Sequence, residues 1–354
     1  MIKQNTQLNL IQVLRGIASL LVVLFHVTIT FATINKQVFG FNFFLFGGAG
    51  VDIFFVLSGF IITYTSFKAL NRPDKVLPFI SRRFVRIFPA YWIIIGLFLL
   101  TQIIFPVFYK THYDFSVENL LSTVFLLPGH VMVNGVSWTL SFELFFYLLF
   151  SIAFIIPKRK WAFCLFAFYA MILIALPVLQ YNFDNSNEWV KLITSPMNIE
   201  FFMGVIAAAI IRKIPRNLSL PLVITGSIIF LTSGVCADLN YYLLHNIFNR
   251  VLLFGIPAFL IVIGLVRFEL NNQLKVHNIL LSLGEASYSL YLIHLPLISA
   301  AIKLIGRLNI QNNIILHLLL FIVIILVCCT SVLFYKCIEK PLIDKLNKRI
   351  ALRL

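Results

Sequence analysis

The first apolar stretch of this 354-residue chain contains an arginine and a histidine eleven positions apart, Arg15 and His26. At about 100° per residue, eleven positions make close to three helical turns, so both side chains share one helix face, roughly 16 Å apart along the axis. Charged side chains within a membrane span are costly and point to function. Two carboxylates, Asp52 and Glu143, also lie in apolar surroundings. Counted from the nearest loop, His26, Asp52 and Glu143 fall at similar depth in the outer half of a membrane. A carboxylate within reach of a histidine fixes its tautomer and raises its basicity, as a general base requires. Asp52 and Glu143 are the two candidates to hold His26. Each residue also has a structural reading: His26 as a helix–helix hydrogen-bonding residue, Arg15 snorkelling to the inner headgroups, Asp52 joining helices beside Gly47–Gly48–Ala49–Gly50, and Glu143 paired with a distant base.

A second group is basic. In Arg82–Arg83–Phe84–Val85–Arg86, Arg83 and Arg86 stand at i, i+3 on one face. Guanidinium forks suit phosphate oxygens, so the run reads either as a clamp for a phosphorylated cytosolic cofactor or as a cytoplasmic anchor of the third span.

The elements that must position these residues follow from composition. The chain is 60% hydrophobic and 12% charged, about half the charge of a soluble domain, so lipid must solvate much of it. The pattern predicts an all-α, polytopic helical bundle of about ten spans, at 8–31, 44–66, 83–105, 136–156, 161–179, 197–211, 219–236, 248–266, 286–306 and 313–335. The net charge of +15 lies mainly in short clusters between spans, without an arginine-rich tail or aromatic-basic module, which argues against nucleic acid as partner. With the N-terminus inside, 21 of the 28 Lys and Arg residues fall in inner segments and six, Arg250 among them, in outer ones, so both termini are expected in the cytoplasm. No cleavable leader is evident, and no room is left for a soluble domain at either end. The longest outer loop, 106–135, carries His112, Asp114, Glu118 and His130 and is a candidate cover for the outer mouth. Cys164, Cys236, Cys328, Cys329 and Cys337 have no spacing typical of a metal site or disulfide framework.

Six segments in order resemble the acyltransferase-3 family of integral membrane acyltransferases, which O-acetylate bacterial surface glycans. They are Leu14–Arg15–Gly16–Ile17–Ala18 leading to Phe25–His26; Gly50–Val51–Asp52 through Leu57–Ser58–Gly59–Phe60; Arg83–Phe84–Val85–Arg86 through Tyr91–Trp92; Ser137–Trp138–Thr139–Leu140–Ser141–Phe142–Glu143; Ala286–Ser287–Tyr288 through Ile293–His294; and Ile338–Glu339–Lys340–Pro341–Leu342. The resemblance implies one integral membrane acyltransferase domain over residues 1–354 in the cell (inner) membrane. It implies no permanently bound cofactor or metal, acetyl-CoA or another acyl-CoA as cytoplasmic co-substrate, and a hydroxyl of an envelope glycan or lipid-linked sugar as acceptor. By the same resemblance His26 is the catalytic histidine, Arg15 its basic partner, and Arg83 and Arg86, with Arg82 beside them, contact the CoA phosphates. Asp52 and Glu143 join the catalytic set, and Trp138, Ser137 and His294 are expected at the substrate. Direct attack by a hydroxyl deprotonated at His26 and a covalent acyl-imidazole on His26 both fit. Two rival classes are a transporter or flippase, against which stands the lack of an inverted repeat, and a scaffold subunit of a glycan-assembly complex. Neither the acceptor nor the oligomeric state is legible.

Overall fold

Apolar runs of some twenty residues in hydrocarbon must satisfy every backbone N–H and C=O internally, which leaves the helix as their form. The computed structural model describes residues 8–32, 44–104, 114–129, 133–179, 186–239, 246–272, 274–308 and 310–353, and no strand occurs among them. Among the described residues ten helices are long and apolar enough to cross a membrane: α1 (Asn9–Ala32), α2 (Leu45–Ser66), α3 (Pro73–Ile104), α4 (Trp138–Ile155), α5 (Arg159–Val178), α6 (Glu188–Ile210), α7 (Arg216–Leu239), α8 (Ile247–Asn271), α9 (Ser287–Arg307) and α10 (Asn313–Ala351). An even number of crossings returns the chain to the end from which it started. The connections at that end together with the helix segments beside them, the basic end of the bundle, hold most of the basic residues.

Three spans depart from the sequence expectation. α3 begins ten residues earlier than expected, so Arg82, Arg83 and Arg86 lie well inside a helix and not at its tip. α6 starts at Glu188, where Asn187 caps the first turn by accepting from Trp189 N–H, and it breaks at Ser195–Pro196 before resuming at Asn198. α10 continues beyond the apolar run through a π-helical turn, Tyr335–Glu339, into a polar helix, Lys340–Arg353. Hydropathy marks where hydrocarbon ends and does not mark where a helix ends.

The centre of the bundle is α2, with 72% of its most apolar window buried, and α6, with 67%; α5, at 17%, faces outward. α2 and α6 touch backbone to backbone. A Cβ on Gly59 would lie 2.0 Å from the Phe201 carbonyl oxygen, and one on Gly204 2.1 Å from that of Val56. Only glycine permits this approach, the small-residue packing common between membrane helices. Around the contact, Phe55 and Phe146 both stack on Phe201, with ring centroids 4.5 and 4.6 Å away, tying α4 to the pair.

Two further devices fix the helices that carry the chemistry. The Glu269 carboxylate, at the end of α8, accepts from the backbone N–H groups of Asn9 and Leu10 and so caps α1 from another helix. A short helix, Val117–Phe125, is pinned to α3 and α4: Tyr91 Oη donates to Thr123 O (2.7 Å), Trp92 Nε1 to Val124 O (2.9 Å), and Ser141 Oγ to Leu126 O (2.7 Å). In that connection between α3 and α4 Asp114 accepts from Ser116 N–H and Asn119 Nδ2, so it stabilises the helix start; His112 and His130 lie outside the described residues.

Candidate active site

His26 of α1 meets His294 of α9. His294 Nε2 lies 3.2 Å from His26 Nδ1, with ring centroids 4.8 Å apart. The tautomers follow from the hydrogen-bond network. Backbone carbonyls only accept, and His26 Nδ1 is 2.9 Å from Val22 O while His294 Nδ1 is 3.0 Å from Leu290 O. Each Nδ1 therefore carries a proton. His26 Nδ1–H is shared between Val22 O and the lone pair of His294 Nε2, and His26 Nε2 is left as an acceptor. That is the form a general base needs. His26 is half-buried, whereas His294 is wholly buried.

This corrects the expectation that Asp52 or Glu143 orients His26. The Asp52 carboxylate is wholly buried and taken by Arg250 of α8. Arg250 Nη2 donates to Oδ2 at 2.7 Å, and Arg250 Nε reaches both carboxylate oxygens, at 3.1 and 3.2 Å. Arg250 Nη2 also donates to Gly48 O (2.9 Å), so one side chain fastens α8 to the start of α2. Glu200 of α6, equally buried, lies against Asp52, and neither of its carboxylate oxygens accepts a hydrogen bond from a described donor. Arg250, expected in an outer loop, is thus an interhelical partner that charge counting missed.

Glu143 lies in a second place, a cavity that opens to the surface and encloses about 830 Å³ when the space of its open mouth is included. Arg15, Ser58, Arg83, Arg86, Tyr147 and Tyr288 line it with Glu143. Glu143 Oε1 accepts from Ser58 Oγ (3.3 Å) and from Tyr147 Oη. The arginines differ in their partners. Arg86 Nη1 donates to Glu339 Oε1 at 3.0 Å. Arg15 makes one side-chain bond among the described residues, to the neutral Gln12 (3.4 Å). Arg83 lies over the rings of Phe79 and Tyr147, 5.4 and 5.5 Å from the guanidinium carbon, with its Nε buried and unpartnered. Two guanidinium groups without a carboxylate partner among the described residues, lining one cavity, make a site for an anion.

The cavity and the histidine pair are neighbours. Tyr291 lines the cavity on one side and packs against His294 on the other (ring centroids 5.8 Å); its Oη accepts from Thr139 Oγ1 at 2.9 Å. Arg15 therefore belongs to the anion site and stands about 16 Å along α1 from His26. It is not a direct partner of His26. Arg82 is exposed and does not line the cavity. Nor do Trp138 and Ser137: Trp138 packs edge-on against Phe55 and Phe142, and Ser137 is wholly buried with an unpartnered hydroxyl. His294, expected at the substrate, lies against His26. All five cysteines are unpaired.

A family model described as an acyltransferase domain matches residues 8–335. The exopolysaccharide production protein ExoZ of Rhizobium meliloti (strain 1021) is 28% identical over 316 residues, covering 85% of this chain and 91% of the relative. The acyltransferase MdmB of Streptomyces mycarofaciens is 27% identical over 288 residues, covering 73% and 70%. An O-acetyl transferase of Shigella phage Sf6 is 28% identical over 163 residues, covering 41% and 45%. No solved structure matches the chain.

Proposed function

This multi-pass membrane chain belongs to the acyltransferase domain family and is an acyltransferase, and on that premise we propose that it moves an acyl group from acyl-CoA to a hydroxyl of a cell-envelope polysaccharide or lipid-linked sugar. The single observation that carries the reading is the placement of two arginines with no carboxylate partner among the described residues, Arg15 and Arg83, in a cavity adjoining the His26–His294 pair. The separation along α1 is of the order of an extended phosphopantetheine arm. A phosphate of the donor held by Arg15 and Arg83 directs the thioester towards His26. The basic end then faces the cytoplasm, where acyl-CoA is made, and the protein lies in the cell (inner) membrane.

In this reaction the acceptor hydroxyl gives its proton to His26 Nε2 while its oxygen attacks the thioester carbonyl. The C–S bond breaks, and the departing thiolate recovers the proton from the imidazolium, leaving an ester and free CoA. His294 stabilises the imidazolium through Nε2, because the His26 Nδ1–H bond becomes charge-assisted when the ring is protonated. A covalent acyl-imidazole on His26 is the variant; it predicts a burst of free CoA without acceptor, which direct transfer does not. Support for an envelope acceptor comes from the relatives, one named for exopolysaccharide production and one an O-acetyl transferase. The acyl group is acetyl or another acyl group such as succinyl.

The test is acceptor-dependent release of free CoA by purified protein in liposomes. His26→Ala is expected to lose about 10²–10⁴ in rate, the usual contribution of a general base. Full activity of that variant at normal protein level overturns the assignment. Movement of a glycan precursor across the membrane without acyl transfer makes the protein a transporter instead.

A further inference from the structure

Arg86 is the arginine of the cavity already held by a carboxylate. Glu339 is wholly buried, and its oxygens are divided between Arg86 Nη1 of α3, at 3.0 Å, and Ser289 Oγ of α9. The Tyr288 ring supports the guanidinium from one side, 5.5 Å from its carbon, and Tyr288 Oη donates to Ile87 O at 2.8 Å. Glu339 reaches this place through the π-helical turn Tyr335–Glu339. An extra residue in a turn rotates the residues after it by about 100°, and π-turns of this kind are frequent at functional sites. Within this segment Lys336 and Lys340 are exposed while Glu339 alone is buried. Arg15 and Arg83, on the same cavity, have no such partner among the described residues.

We propose that Glu339 is a positioning residue of the donor site: it holds Arg86 in a buried ion pair, withholds it from the donor's anionic group and leaves Arg15 and Arg83 to bind that group. The inference rests on acyl-CoA being the donor. It has a consequence in charge. Three arginines against Glu143 and Glu339 leave the cavity one positive charge in excess, and removing Arg86 and Glu339 together leaves that excess unchanged. Removing Arg86 alone cancels it and exposes a buried carboxylate beside an anion site.

The experiment measures CoA binding by titration calorimetry to the full chain in nanodiscs, for the wild type, Arg83→Gln, Arg86→Gln and Arg86→Gln/Glu339→Gln. Arg83→Gln is expected to weaken binding by about tenfold or more, the loss of a charge-assisted hydrogen bond. Arg86→Gln weakens it comparably. The double variant returns to within about threefold of wild type, the scatter of independent sites. A merely structural pair would show no such rescue of affinity. A double variant as weak as Arg83→Gln places Arg86 on the anion and overturns the proposal, and this comparison decides the matter even where Arg86→Gln alone does not fold. Absence of CoA binding by the wild type overturns the donor reading itself and the inference with it.

Discussion

Replacing His294 by phenylalanine keeps a flat buried ring and removes the acceptor for His26 Nδ1–H, which now lies 3.2 Å away. In the resting enzyme that bond joins two neutral rings and contributes about 1 kcal/mol. When His26 takes the proton of the acceptor hydroxyl, the same bond joins an imidazolium to a lone pair and contributes about 1.5–3 kcal/mol. Only the difference, about 0.5–2 kcal/mol, acts on the transition state, so kcat should fall roughly 2–30-fold. Neither KM should move, because the interaction gained in the transition state is absent from substrate binding. The assay is acceptor-dependent CoA release at saturating donor and acceptor, read beside His26→Ala. Wild-type kcat in His294→Phe would make the pair a packing contact and refute the reasoning. A loss as deep as that of His26→Ala would refute it in the other direction, with His294 itself carrying the proton.

Asp52→Ala leaves the Arg250 guanidinium without its carboxylate in a largely buried place. The expected cost is about 3–5 kcal/mol, seen as a lower melting temperature in detergent, and Asp52→Leu/Arg250→Met should recover most of it; equal stability of all three would contradict the ion-pair account. Gly204→Leu drives a side chain into the backbone of α2 and should prevent assembly, whereas Gly96→Leu, with no atom within 4 Å of its Cβ position, should be tolerated. The readout for both is the monodisperse fraction after solubilisation. Glu269→Ala removes the cap of α1 and should cost about 0.5–2 kcal/mol by thermal unfolding without altering kcat, since it touches neither the cavity nor the histidines.

The features that the sequence disclosed and those it hid divide along physical lines. Ten spans follow from hydropathy because lipid imposes one backbone solution on each apolar run. The shared face of Arg15 and His26 follows from spacing within one helix. Contacts between helices were not legible. His294 and His26 are 268 positions apart, and no periodicity announces that their rings meet. Asp52 was noticed, but Arg250, 198 positions away, was indistinguishable from a loop arginine near the end of an apolar run. Glu339 belongs to a stretch whose hydropathy reads as a tail, and only the π-turn brings it to Arg86. The run Arg82–Arg83–Phe84–Val85–Arg86 misled in position for a related reason: its charge reads as interface, while helix α3 continues through it and turns Arg83 and Arg86 into a cavity.

The most direct test of the central claim, transfer from a donor bound at the basic end to a hydroxyl at the His26 end, is a sided reaction in oriented proteoliposomes. Labelled acyl-CoA is confined to the compartment facing the basic end, and the glycan acceptor is supplied only to the opposite one. The account predicts labelled ester on the far-side acceptor and free CoA on the near side, both lost in His26→Ala. Label that reaches the acceptor only when both substrates share one compartment would contradict it, as would an acceptor that crosses the membrane unmodified.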